Sequence, residues 1–152
     1  MARGDITVFN EALAYLIDGD FGSTDSIKIA LVDNTTTPTA ADSVPGFAAG
    51  ATTNFQPNEE SGGNVTAGGI ALDTLANMVS QTSGTLTFDD TGATHQWAQN
   101  ASNPTNVYWA IIFNDTDTAK RAIAFMDMGG PLNMTAGDTT VTWHANGIFQ
   151  VS

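Results

Sequence analysis

The chain has 152 residues, no cysteine, and a formal charge of -12 from 16 acidic against 4 basic side chains. That is one domain of polypeptide, long enough to bury a core without staples, and it has no means for thiol catalysis, thiolate metal sites or redox switching. Four cations are too few to neutralise a phosphate backbone or to hold an anionic bilayer, so neither nucleic acid nor membrane is an expected partner. Acidity on this scale serves solubility, or docking onto a basic surface.

Met1-Ala-Arg-Gly-Asp-Ile lacks the apolar run of a signal peptide, and no stretch approaches the ~20 apolar residues of a membrane span. Ile6, Phe9, Leu13, Leu16 and Ile17 fall at helical spacing and predict an N-terminal α-helix over residues 6–18. Asp5 is the expected N-cap and Gly19 the expected stop. The period then changes to two. Ile27, Ile29 and Leu31 alternate with Lys28 and Ala30, predicting a first strand over 25–32.

Residues 33–69 show neither period, carry Thr35-Thr-Thr-Pro38, Val44-Pro-Gly46 and Pro57-Asn-Glu-Glu60, and contain Phe47 and Phe55. Structureless segments beyond ~12–15 residues are uncommon in compact domains. The segment is expected to be a long loop, with these readings open: a mobile insertion or a cover meandering over the sandwich, or an arm ordered by a neighbouring subunit and anchored by its phenylalanines.

Residues 70–152 carry the remaining strands. Leu86 and Phe88 alternate with threonines, 107–113 is apolar on both parities and suits a central strand, 122–126 behaves alike, and Val141 and Trp143 alternate again before Ile148-Phe-Gln-Val151. Asp90-Thr-Gly92, Asn114-Asp-Thr-Asp117, Gly129-Gly-Pro131 and Ala136-Gly-Asp138 are the turn signals between them. The fold expected of residues 1–152 is one mainly β domain, an antiparallel β-sandwich or jelly-roll-like barrel with one N-terminal α-helix and a long loop.

Motifs of catalysis are missing. There is no G-x-S-x-G elbow and no H-E-x-x-H pair, and His95 and His144 each neighbour a tryptophan on or near a strand. Asp89 and Asp90 are adjacent, so on a strand they point to opposite faces and cannot flank one bond. Asn114-Asp-Thr-Asp117 opens like a calcium loop but lacks its later glycine and glutamate. Arg3-Gly4-Asp5 and the N-x-S/T sequons at Asn34, Asn64, Asn100, Asn114 and Asn133 are read as chance. Trp109 is expected in the core; Trp97 and Trp143 suit either core or a sugar-stacking platform. No catalytic residue, metal ligand or cofactor site is expected.

Lys28-Ile-Ala-Leu31 is followed by a Pro-containing loop, Ala67-Gly-Gly-Ile-Ala-Leu72, Leu86-Thr-Phe-Asp-Asp90 and Trp97. Then come Tyr108-Trp-Ala-Ile-Ile-Phe-Asn-Asp-Thr116, Ala122-Ile-Ala-Phe-Met-Asp127, Gly137-Asp138, Val141-Thr-Trp143 and the terminal Gly147-Ile-Phe149. In this order, over about residues 25–150, the segments resemble small virion structural proteins of tailed bacteriophages, a group of head decoration (cement) proteins and fibre-like proteins. The resemblance implies a non-enzymatic virion protein. The expected role is capsid decoration on the outer head, and the alternative is a tail-associated or fibre-like module that binds a receptor or carbohydrate. The implied partners are the major capsid protein or another virion protein and further copies of the chain in a homo-oligomer, and the implied location is the virion. Phe9, Leu13, Phe47 and Phe55 are the expected contact residues, because the periodic strands do not require them.

Overall fold

The computed structural model describes residues 1–90 and 94–151. Thr91 and Gly92 of the expected Asp90-Thr-Gly92 turn lie outside the described residues. In chain order the elements are β1 (Ile6–Val8), α1 (Asn10–Asp18), β2 (Ser26–Val32), β3 (Pro45–Gly46), β4 (Thr53–Asn54), β5 (Ile70–Thr74) and α2 (Leu75–Met78). The remainder is β6 (Val79–Thr82), β7 (Thr85–Phe88), β8 (Thr94–Trp97), β9 (Val107–Asn114), β10 (Ala122–Leu132), β11 (Thr139–Thr142) and β12 (Phe149–Val151). The fold is mainly β and sandwich-like, as the period-two segments lead one to expect.

The largest sheet has the order β1-β10-β9-β2-β5, every pair antiparallel. β9 is its centre, which is why both parities of that strand are apolar: Ile111 and Ile112 point to opposite faces and are equally buried. The register puts Trp109, Ile111 and Phe113 of β9 on one face with Ala30 and Val32 of β2 and Phe125 of β10. The other face carries Ile27, Ile29, Leu31, Ala110, Ile112 and Met126. Smaller sheets, β12-β7-β6 and β11-β8, complete the body, and their Phe88, Trp97 and Val141 share one continuous apolar core with the large sheet.

The expected helix over 6–18 is corrected to α1 at Asn10–Asp18. Ile6, Thr7 and Val8 are β-branched, pair with Met126, Phe125 and Ala124, and extend the sheet as an edge strand instead. Phe9 takes the N-cap position in an extended conformation with no side-chain cap. Asp5 does not cap the helix; its carboxylate accepts a hydrogen bond from the Ala2 N–H. Gly19 stops the helix as expected, in the left-handed conformation (φ 79°), and its N–H bonds back to Tyr15 O.

Residues 33–69 are not an arm awaiting a neighbour. β3 and β4 pair in parallel within the segment, Phe47 N–H bonds to Lys120 O, and Asn10 N–H bonds to Ala40 O. A 3₁₀ turn at Gln56–Asn58 follows Phe55. Phe47 stacks on Phe113 of the Trp109–Ile111–Phe113 face of the large sheet, and Phe55 packs on Phe9, which in turn packs on Phe125 of the same face.

The remaining turn signals hold where polar side chains bond their own backbone. Asn114 Oδ1 accepts from the N–H of Thr116 (3.0 Å), and Asn133 Oδ1 from Thr135 (2.9 Å). Gly129-Gly-Pro131 is the exception. It lies inside β10, across a register shift between Asp127 and Leu132, and the Gly130–Pro131 peptide is cis. Trp109 is also corrected, since it is only partly buried and its indole N–H donates to Asn34 Oδ1 at 2.8 Å.

Candidate functional site

Of the four expected contact residues, three are in the core. Phe9 is 0% exposed, Phe47 1% and Phe55 0%, and Phe9 packs on both Phe55 and Phe125. Their apolar surface is spent on the large sheet, so contact through them is overturned. Leu13, at 38%, reaches the surface, and it has a neighbour that sequence reasoning passed over: Ile17, 84% exposed. The signal for Ile17 was present, because it stands in the same helical stripe. Once Ile6 and Phe9 are removed from that helix, the stripe has more apolar residues than one buried face needs.

α1 buries Ala12 and half-buries Tyr15 and Leu16. Tyr15 fixes the rotation of the helix. Its hydroxyl donates to Glu11 Oε2, which also accepts the N–H of Val44, and its ring lies 4.7 Å from the Arg121 guanidinium. Burial pushes the Tyr15 hydroxyl up to about 12, the Glu11 carboxylate adds to the rise, and Arg121 opposes it. With Tyr15 turned inward, Leu13 and Ile17 (i, i+4) point out beside Leu16. Leu16 in turn lines a shallow groove of about 290 Å³ with Phe21, Leu75, Val79 and Leu86.

The charge about this face is negative. The last turn of α1 holds no basic residue, Asp18 is exposed and forms no ion pair among the described residues, and Asp20 reaches Arg121 only at 3.5 Å. The carbonyl end of the helix adds its own partial negative charge. Lys28 and Lys120 are both held by Asp115, at 2.7 and 2.5 Å, and Arg121 also faces Asp117 at 3.3 Å.

A second, larger groove of about 840 Å³ runs between the N-terminal segment and β11, with Met126, Met128, Val141 and Ile148 below and Arg3, Asp5 and His144 among its polar lining. Trp143 borders it, yet is 8% exposed and donates its indole N–H to Asp90 Oδ2 at 3.1 Å. Trp97 is 3% exposed, so both tryptophans belong to the core. Asp90 also accepts from Nε2 of His95 and is itself 2% exposed. This Asp90–His95–Trp143 cluster ties the end of β7 to β8 and to the residue after β11. Its carboxylate has almost no exposure to solvent. Among the described residues no three His, Asp or Glu side chains gather to hold a metal.

None of the family models, curated proteins or solved structures compared with the chain matches it.

Proposed function

We propose that the protein is a non-enzymatic structural component of a tailed-phage virion, a decoration protein docked in many copies on the outside of the head with the major capsid protein as its partner. The resemblance in segment order motivates this reading, and the exposed Leu13–Ile17 pair on a helix packed against the β body is the observation that carries it. Ile17, 84% exposed, and Leu13, 38% exposed, form an apolar pair on α1 that a partner can cover. The polar inventory supports a structural role, because carboxylates and amides are engaged in turns and ties: Asp33 on Thr35, Asp42 on Thr39, Asp138 on Gln96 and Gln99. Three of the four cations already face carboxylates, which supports a protein partner over nucleic acid.

A stained gel of purified particles tests the reading. A decoration protein gives a band comparable in molar amount to the major capsid protein. A trace band that co-purifies with tails assigns the chain to a tail-associated or fibre-like role instead.

A further inference from the structure

We infer that the face of α1 carrying Leu13 and Ile17, together with the α1–α2 groove that Leu16 lines, receives an apolar side chain flanked by lysine or arginine on a partner protein; on the virion reading, on which this rests, that segment belongs to the shell. Three observations converge. The groove has an apolar lining of Leu16, Phe21, Leu75, Val79 and Leu86, and its volume of about 290 Å³ lies at the bottom of the range for ligand pockets, the size for a side chain or two. Ile17, 84% exposed, directly follows Leu16 on the helix that lends Leu16 to the groove. The helix end beside it is acidic, with Asp18 unpaired among the described residues and no basic residue in the last turn.

Charge complementarity selects the occupant. A second copy of this chain carries the same -12 and would bring acid against acid. An anionic bilayer is repelled for the same reason. A basic-flanked apolar segment gains on both counts, because the apolar residue leaves water and its flanking cations meet Asp18 and the helix carbonyl end.

Two variants and two probes test this. Ile17→Gln removes the apolar contact at an exposed site, and Asp18→Lys reverses the charge; unchanged melting temperatures establish that both remain folded. Heads purified without the protein are incubated with each and sedimented. Ile17→Gln is expected to bind roughly tenfold or more weakly at any salt, the ratio matching burial of one isoleucine side chain. Asp18→Lys is expected to bind severalfold more weakly at about 0.05 M salt, with the deficit gone near 1 M, where screening acts over about 3 Å.

The second probe needs no virion. The isotope-labelled full chain is titrated with a leucine-centred peptide flanked by lysines and with its glutamate-flanked counterpart. The lysine peptide should shift the resonances of the groove and of Leu13 and Ile17, and the glutamate peptide should leave them in place. Variants that bind heads like wild type, or peptides that act alike or elsewhere, overturn the inference and leave the virion reading standing. Wild-type protein that ignores the heads overturns the virion reading, and the peptide result then decides the inference alone. A wild-type oligomer that dissociates on Ile17→Gln assigns the face to a second copy and overturns the inference.

Discussion

Phe47 lies flat on Phe113, with ring centroids 4.6 Å apart and planes 11° from parallel. One ring comes from the irregular segment and the other from the central strand, so this stack fastens the long connection to the sheet. The Lys120 ammonium lies over the Phe113 ring, 5.9 Å from its centroid. The connection, with its short β3–β4 pair, therefore covers part of that face of the sheet.

Phe47→Ala is expected to cost about 3–5 kcal/mol, as truncations of buried aromatics do. Against a typical total of about 5–15 kcal/mol, that leaves a marginal domain. Deletion of residues 35–60 removes Phe55 as well and should abolish cooperative unfolding altogether. Denaturant titration followed by tryptophan fluorescence checks both. A deletion variant with a sharp, wild-type-like transition would show that the segment is an appendage.

Gly46 marks where the same segment crosses the turn before β10. A Cβ there would stand 2.5 Å from the Ala119 carbonyl oxygen and 2.8 Å from the Ala51 Cβ, and the first of these is backbone. Gly46→Ala is therefore expected to destabilise by about 1–3 kcal/mol through overpacking. Gly84, with nothing within 4 Å of a Cβ, is the comparison site for space alone, though its φ of 87° adds strain of its own. Melting temperatures of both variants against wild type provide the measurement.

The strands were legible in the sequence wherever one face met water or both were buried. Ile27–Ile29–Leu31 and the doubly apolar 107–113 run both sit where their patterns put them. The first strand was not legible, because Ile6, Phe9 and Leu13 happen to continue a helical spacing across a real boundary at Phe9. β-Branching of Ile6, Thr7 and Val8 was the overlooked counter-signal. Phe47 and Phe55 were read as contact residues anchoring an arm, and a sequence without period cannot say whether such a side chain grips its own sheet or a neighbour's. Ile17 was missed for the opposite reason: a residue inside an amphipathic stripe is presumed inward until the helix is rotated by a contact such as Tyr15–Arg121, which no local pattern encodes.

Two carboxylates should respond to acid in opposite senses. Burial alone would raise the Asp115 carboxyl, but hydrogen bonds and charge from Lys120 and Lys28 overcome it and hold it below its ordinary 3.8. Its stabilising contribution is therefore complete above pH 3.8 and is lost as pH falls through the lower folded value. Glu60 is raised above its ordinary 4.5 by burial first and by the Asp33 charge second, so its ionised form opposes folding at neutral pH. Glu60→Gln should raise the melting temperature at pH 7, with the gain shrinking as the pH drops below the raised value. Asp115→Asn should lower it at pH 7, with the loss shrinking below pH 3.8. Melting curves from pH 7 to about pH 2 separate the two; parallel curves for wild type and variants would refute both assignments.

Asp90 draws two elements onto one carboxylate, through Nε2 of His95 on β8 and the indole N–H of Trp143 after β11. Asp90→Ala leaves that indole N–H without its acceptor in a site 8% exposed, and the expected cost is about 1–3 kcal/mol for the stranded donor. A structural tie also predicts coupling. His95→Ala and Asp90→Ala in a double-mutant cycle should show an interaction of roughly 0.5–3 kcal/mol, since each removes the same contact. Their effects should also be felt at Trp143, whose fluorescence and indole hydrogen exchange report the loosened junction directly. Additive costs with an unchanged Trp143 signal would mean that β8 and β11 are held by their own ladder, in which Val141 pairs with His95 and Thr139 with Trp97, and that the cluster contributes nothing beyond it.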